Sequence, residues 1–245
     1  LSAINNRKIA LGAVLTAFSV SLRIFPLVLL IGPGIKLVQL YIAKREGIST
    51  NNELRRQLVH FFYWFLGASI LFGLLGLFSG RGVNCWIEFL QKMSIHSSFI
   101  AGEGFNMGLR NFISALPIGG ELAYVGYVLI LSVVTWSFIK IIRELDNLVS
   151  LFSVSSILIY FLMTLSPYYY LLLAVLLLLP DTKASKFVSI SLFGLLFVQA
   201  LVNPRAFISL LAIGESVTEV SVLVFSVIFL IVLLRANPEG SKKSH

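Results

Sequence analysis

The chain has 245 residues, 58% of them hydrophobic and 12% charged, with a mean hydropathy of +0.93 and a formal net charge of +8. Soluble globular domains carry roughly twice that share of charge, about 25%, so the composition excludes an ordinary soluble domain along with disordered, collagenous and disulfide-scaffold classes. All but one of the 19 Lys and Arg residues sit between apolar runs, and they form no basic face interleaved with aromatics. That arrangement points to lipid headgroups as their partner and away from nucleic acid.

The chain opens on Leu1 with no charged stretch ahead of a cleavable apolar run, so it is not expected to begin with a signal peptide, and an N-terminal portion is expected to precede it. Apolar segments follow at about 9–22, 26–43, 57–79, 122–140, 148–165, 168–180, 187–203 and 217–235. With ~20 residues as the length of a membrane span, they predict an all-α polytopic transmembrane bundle of about eight membrane helices. The first and sixth segments are too short to cross alone, and each meets its neighbour through a proline, Pro26 and Pro167. Proline removes a donor and disfavours helical geometry in the residue before it, so both runs are expected to break into hairpins rather than form long kinked helices. Hairpin tips that stop short of the far surface would leave a recess.

Lys and Arg accumulate on the cytoplasmic side of short connections. With the N-terminus inside, Arg7, Lys8, Lys44, Arg45, Arg55, Arg56, Lys140, Arg143, Lys183, Lys186, Arg235, Lys242 and Lys243 fall on the cytoplasmic face. Arg23, Arg81, Lys92, Arg110 and Arg205 fall opposite, and Lys36 falls inside a span, from where its stem could snorkel inward. Both termini are then cytoplasmic, and the longest connection, about 80–121, is external, as are both proline tips. The expected organisation is one membrane domain over 1–237 and a disordered cytoplasmic tail over 238–245.

Candidate chemistry gathers on the outer face. Trp86, Phe89, Leu90 and Met93 recur at helical spacing with Glu88, Gln91 and Lys92 between them, which predicts an amphipathic helix along the outer interface. His96 follows it as an acid, base, phosphate donor or metal ligand, or as a simple polar residue of the interface. Three glycines then flank Glu103 and Asn106 before Arg110, a pattern that serves either a ligand loop or a connector. Arg23, beside the first proline break, reads as a snorkelling arginine or as a planar cationic fork for a phosphate, and Arg205 after Pro204 invites the same two readings. No His-Glu-x-x-His spacing and no Asp-x-Asp pair occurs, so no metal ligands are assigned. Tyr168, Tyr169 and Tyr170 read as an interfacial aromatic anchor or, less readily, as the lining of a sugar or lipid groove. The single cysteine, Cys85, reads as a small interfacial hydrophobe.

Taken in order, the run Ser21-Leu22-Arg23-Ile24-Phe25-Pro26-Leu27 with its following apolar helix and basic knot resembles the Lys/Arg-x-Phe/Tyr-Pro hairpin of the GT-C membrane glycosyltransferases. It is most similar to the polyprenyl-phosphate-mannose-dependent group, glycosyltransferase family 87. Trp86-x-x-Phe89-x-x-Lys92-x-x-x-His96 leading into Asn106-x-Gly108-Leu109 resembles that group's external helix and Asn-containing segment. Leu165-Ser166-Pro167-Tyr168 resembles its later Ser-Pro hairpin. The resemblance implies a bacterial inner-membrane enzyme that transfers a sugar, mannose in the related group, from a polyprenyl-phosphate donor to a saccharide or lipid acceptor at the outer face. It implies Arg23, Arg110 and Arg205 at the phosphate, His96 and Asn106 on sugar or phosphate oxygens, and Glu103 as the local candidate for the catalytic base. The family's catalytic acid belongs to an earlier external loop, so the chain is expected to be the C-terminal part of a larger enzyme. No cofactor is assigned beyond the lipid-linked donor, and a divalent metal is left open. The competing expectations are a membrane transporter, which would place ionisable groups at mid-depth, and a non-catalytic membrane subunit.

Overall fold

The computed structural model describes residues 4, 8–23, 25–78, 80–100, 109, 113 and 119–163. Its elements, among the described residues, are all helical: α1 (Ile9–Leu22), a 3-10 turn (Phe25–Leu30), α2 (Ile31–Arg45), α3 (Asn52–Leu77), α4 (Asn84–Ile100), α5 (Gly120–Glu144), α6 (Leu148–Ser155) and α7 (Leu158–Leu162). Among the described residues, three stretches are long and apolar enough to cross a membrane: Pro26–Arg45, Asn52–Leu77 and Gly120–Glu144. They match three of the eight expected segments. The segments expected at 168–180, 187–203 and 217–235, the Pro167 hairpin and the tail lie outside the described residues.

The chain divides into two compact units, Leu1–Gly104 with Asp146–Phe152, and Phe105–Leu145 with Ser153–His245. In the first, α1 packs along α3. The residues α1 buries are Gly12, Ala13 and Ala17, small enough for two backbones to approach closely. Space beside Gly12 is already taken, since a Cβ there would run into Cγ1 of Ile4. The polar residues of α1 keep their hydroxyls within the helix: Thr16, Ser19 and Ser21 donate to the carbonyls of Gly12, Leu15 and Ala17 at 2.7, 2.9 and 2.9 Å. Such back-bonding lets hydroxyls sit in an apolar medium without an unmet donor.

At the expected break, α1 ends at Leu22, Arg23 is extended (φ −151°, ψ 131°), and Pro26 lies in the 3-10 turn that leads into α2. Side-chain neighbours give the direction of each helix. The first turn of α1 adjoins Glu53–His60 of α3, while Phe18 meets Phe72 with ring centroids 5.6 Å apart, so α1 and α3 run parallel. Gly34 of α2 lies by Phe62, and Tyr41, further along α2, lies under Arg55, so α2 runs antiparallel to α3. Between α1 and α2, therefore, the chain reverses at Arg23–Pro26, as the hairpin reading requires.

Helix ends are closed by local chemistry. Asn51 caps α3 by accepting from the Leu54 N–H at 3.0 Å, with Glu53 in the first turn. At the end of α2, Gly47 takes φ +73° while the Gly47 and Ile48 N–H groups donate to Lys44 and Ala43 carbonyls at 3.2 and 3.0 Å, a Schellman stop that a Cβ would strain. Lys44 and Arg45 in that last turn favour the negative end of the helix dipole.

α3 buries Leu54, Leu58, Phe61, Phe65 and Ala68, an alternation of four and three residues that forms one seam. Phe61 sits at its centre, edge-on to Phe152 with centroids 4.9 Å apart. Its outward face is equally apolar, with Leu66, Ile70 and Leu74 half or more exposed. A helix that is apolar all round and yet exposed is suited to lipid, not to water.

In the second unit, α5 buries Val134, Phe138, Ile141 and Ile142 and exposes Leu122, Val125, Leu129 and Val133. Its Tyr127 hydroxyl donates to the Phe161 carbonyl of α7 at 3.2 Å. The expected continuous segment at 148–165 is corrected here: it breaks after Ser155 into α6 and α7. Ser156 both donates its hydroxyl to the Ser153 carbonyl (2.7 Å) and closes short i→i−3 backbone bonds with its neighbours, so serine competes with the α-helical ladder at this point.

Candidate functional site

The end of α3 gathers the features expected at the outer face. Phe18 is already level with Phe72, and the hairpin tip at Arg23 lies further along the same direction, towards the last turns of α3. After Leu77 the chain turns through Gly80 (φ +85°) and Gly82 (φ +54°), a conformation that glycine adopts without steric cost, and enters α4. Trp86 then folds back on α3. Its indole N–H donates to the Gly73 carbonyl at 3.1 Å, and its ring occupies the place of a side chain at Gly76, where a Cβ would lie 2.7 Å from Cζ2. Phe89 meets Trp86 edge-on at 5.9 Å, and Arg81 pairs with Glu88 across the turn. The expected amphipathic helix is therefore present and longer than its motif, held to the end of α3 by one aromatic wedge.

Arg23 is exposed, and its backbone N–H closes α1 on the Ser19 carbonyl at 2.9 Å. His96 lies in the last turns of α4. Glu103, Asn106, Arg110 and Arg205, the other residues expected to act on substrate, lie outside the described residues. Among the described residues, no three His, Cys, Asp or Glu side chains gather as metal ligands.

Two polar arrangements were not anticipated in the sequence. Lys36, only 4% exposed within α2, points its ammonium at Asp146, 3.3 Å away in the connection before α6. Asn147, next to that aspartate, caps α6 by accepting from the Val149 N–H at 2.8 Å, which fixes the approach of the connection. The second arrangement lies at the other end of α1 from Arg23. A groove of about 550 Å³ opens between the first turns of α1 and α3, lined by Lys8, Leu11, Glu53, Arg56, Gln57 and His60 among others. Glu53 accepts from Arg56 at 2.8 Å and from Gln57 at 3.0 Å. Lys8 and Arg56 had counted only as markers of orientation. Their meeting depends on α1 and α3 being parallel, which hydropathy does not encode.

Comparison of the chain with protein-family models, with curated proteins and with solved structures finds no match. The helices and these three polar places are the ground on which a function is argued.

Proposed function

We propose that the chain is the membrane part of a GT-C type glycosyltransferase, resembling glycosyltransferase family 87, that uses a polyprenyl-phosphate sugar as donor. The observation that carries this reading is Arg23 at the reversal of the α1–α2 hairpin, beyond the point where α1 meets Phe72 near the end of α3. A guanidinium at a membrane boundary offers a fixed, permanently charged fork for a lipid phosphate whose isoprenoid tail arrives sideways through the bilayer. The amphipathic α4, docked by Trp86 on the last turns of α3, supplies a rim at the same end of that helix.

In the reaction, an acceptor hydroxyl attacks the anomeric carbon of the donor. The new glycosidic bond forms as the bond from that carbon to the phosphate oxygen breaks, and the electron pair leaves with the polyprenyl phosphate. The hydroxyl proton passes to a carboxylate, for which Glu103 is the local candidate. Arg23, with Arg110 and Arg205, would stabilise the charge that grows on the departing phosphate, and His96 and Asn106 would hold sugar or phosphate oxygens. Mannose is the sugar and a saccharide or lipid the acceptor; the bacterial inner membrane is the site, with the outer face as the face of transfer.

Transport is the second reading, and one observation favours it: a buried ammonium inside a span, paired to a carboxylate. One experiment separates the two. Purified protein in lipid nanodiscs is titrated with polyprenyl-phosphate mannose and assayed for transfer to saccharide and lipid acceptors, alongside an Arg23→Ala variant. The transferase reading expects donor binding weakened about tenfold by the substitution, with the helical content unchanged. Equal donor binding by a folded Arg23→Ala protein overturns the phosphate role. Substrate accumulation in sealed vesicles that is lost in Lys36→Met would move the assignment to transport.

A further inference from the structure

We infer that the groove between the first turns of α1 and α3 is a binding site for the phosphate headgroup of an anionic membrane lipid. It lies at the opposite end of α1 from Arg23, 14 helical residues or about 21 Å away, and is independent of the transferase reading.

Position is the first argument. Ile9 begins a helix without a charged residue, and Val59 begins the part of α3 without Lys, Arg, Asp or Glu, so the groove straddles the level at which two parallel helices leave the polar boundary and enter hydrocarbon. Lys8, Arg56 and His60 are exposed on its rim, whereas Leu11 on its wall and Leu15 one turn deeper offer apolar surface to an acyl chain. A lipid anion has both parts, a headgroup for the rim and a chain for the wall. A free phosphate would use only the first.

Charge is the second. Among the described lining residues two cations, Lys8 and Arg56, face one carboxylate, Glu53, an excess of positive charge that suits a phosphodiester's negative charge. Glu53 does more than oppose the anion: by accepting from Arg56 and Gln57 it holds both side chains to one face of α3. The helix ends add to this. α1 and α3 point the same way and so present two positive dipole ends to one place, and the residue that flanks α1 there is the cation Lys8, whose side chain makes no cap bond. At α3 one of the first amides is already taken, since Asn51 accepts from the Leu54 N–H.

The test is native mass spectrometry of the delipidated full chain titrated with phosphatidylglycerol, with phosphatidylcholine of the same acyl chains, and with inorganic phosphate. The expected result is about a tenfold preference for phosphatidylglycerol, lost in Lys8→Gln/Arg56→Gln and kept in a Lys242→Gln/Lys243→Gln variant, which removes as much charge elsewhere in the chain. Equal retention of the two lipids by the unaltered protein overturns the site, and so does a preference that survives the loss of Lys8 and Arg56. Displacement of the lipid by millimolar inorganic phosphate would assign the groove to a free anion and overturn the lipid. Helical content measured by circular dichroism separates a lost site from a lost fold. Should the double variant unfold, Leu11→Gln, which alters only the wall, is expected to weaken phosphatidylglycerol retention; unchanged retention there overturns the acyl-chain contact.

Discussion

Lys36 shows how far a single residue can be read. An ammonium amid apolar sequence is visible at once as an anomaly, and the expectation that its stem runs toward one end of the span follows from the length of lysine. Its partner is not visible, because Asp146 lies far along the chain in a connection whose approach is fixed by folding. The pair is asymmetric: Lys36 is buried, while the Asp146 side chain is 67% exposed. Asp146→Asn should therefore destabilise the protein by about 2 kcal/mol, less than the ~3–5 expected for a fully buried pair. Lys36→Met, which removes the charge that needs a partner, should cost less, and adding Lys36→Met to Asp146→Asn should restore part of the loss. Thermal unfolding in one detergent checks all three. A double variant no more stable than Asp146→Asn would show that the ammonium is not what the aspartate serves.

At the scale of elements, α4 was legible and its docking was not. The spacing of Trp86, Phe89, Leu90 and Met93 encodes an amphipathic helix, but nothing local encodes that Gly73 and Gly76 of α3 leave room for the indole. Gly76→Val should push Trp86 out and loosen α4, raising amide exchange over 84–92 about tenfold, while Gly67→Val, whose added Cβ would have nothing within 4 Å, should leave exchange unchanged. Exchange that rises equally in both variants would mean that α4 is held by something other than Trp86. Likewise, the division of 148–162 into α6 and α7 escaped a reading by hydropathy, because its cause is hydroxyl chemistry at Ser153 and Ser156 inside a run that is otherwise apolar. Apolar content reports a preferred medium; it does not report whether the backbone ladder continues.

At the scale of the molecule, three membrane-length helices and the α1–α2 reversal stood in the sequence, since length, hydropathy and proline act locally. The candidate site was legible only as a set of residue types. Of that set, Arg23 is placed at a helix reversal and His96 on α4, while Glu103, Asn106, Arg110 and Arg205 lie outside the described residues. Which helices run parallel had to come from the fold, and with it the meeting of Lys8 and Arg56. The basic knots make a prediction of orientation. With Cys85→Ser as background, a cysteine at Ile48, between α2 and α3, should react with a membrane-impermeant maleimide only in inside-out vesicles, and one at Val83 only in right-side-out cells. Labelling of both from the same side would contradict the expected path of α3 across the bilayer.

The α1–α2 hairpin also bears on how the protein gets into the membrane at all. Because α1 starts and α2 ends near the same end of α3, the two helices can be inserted together as a loop, and neither flanking knot of Arg and Lys has to be carried through. A 14-residue helix is too short to be accepted as a stop in its own right, so α1 depends on α2 for entry. The tip that travels holds one charge, Arg23. Insertion as a loop would leave the guanidinium at its leading edge, delivered to the far boundary by the same event that anchors the helices on either side of it.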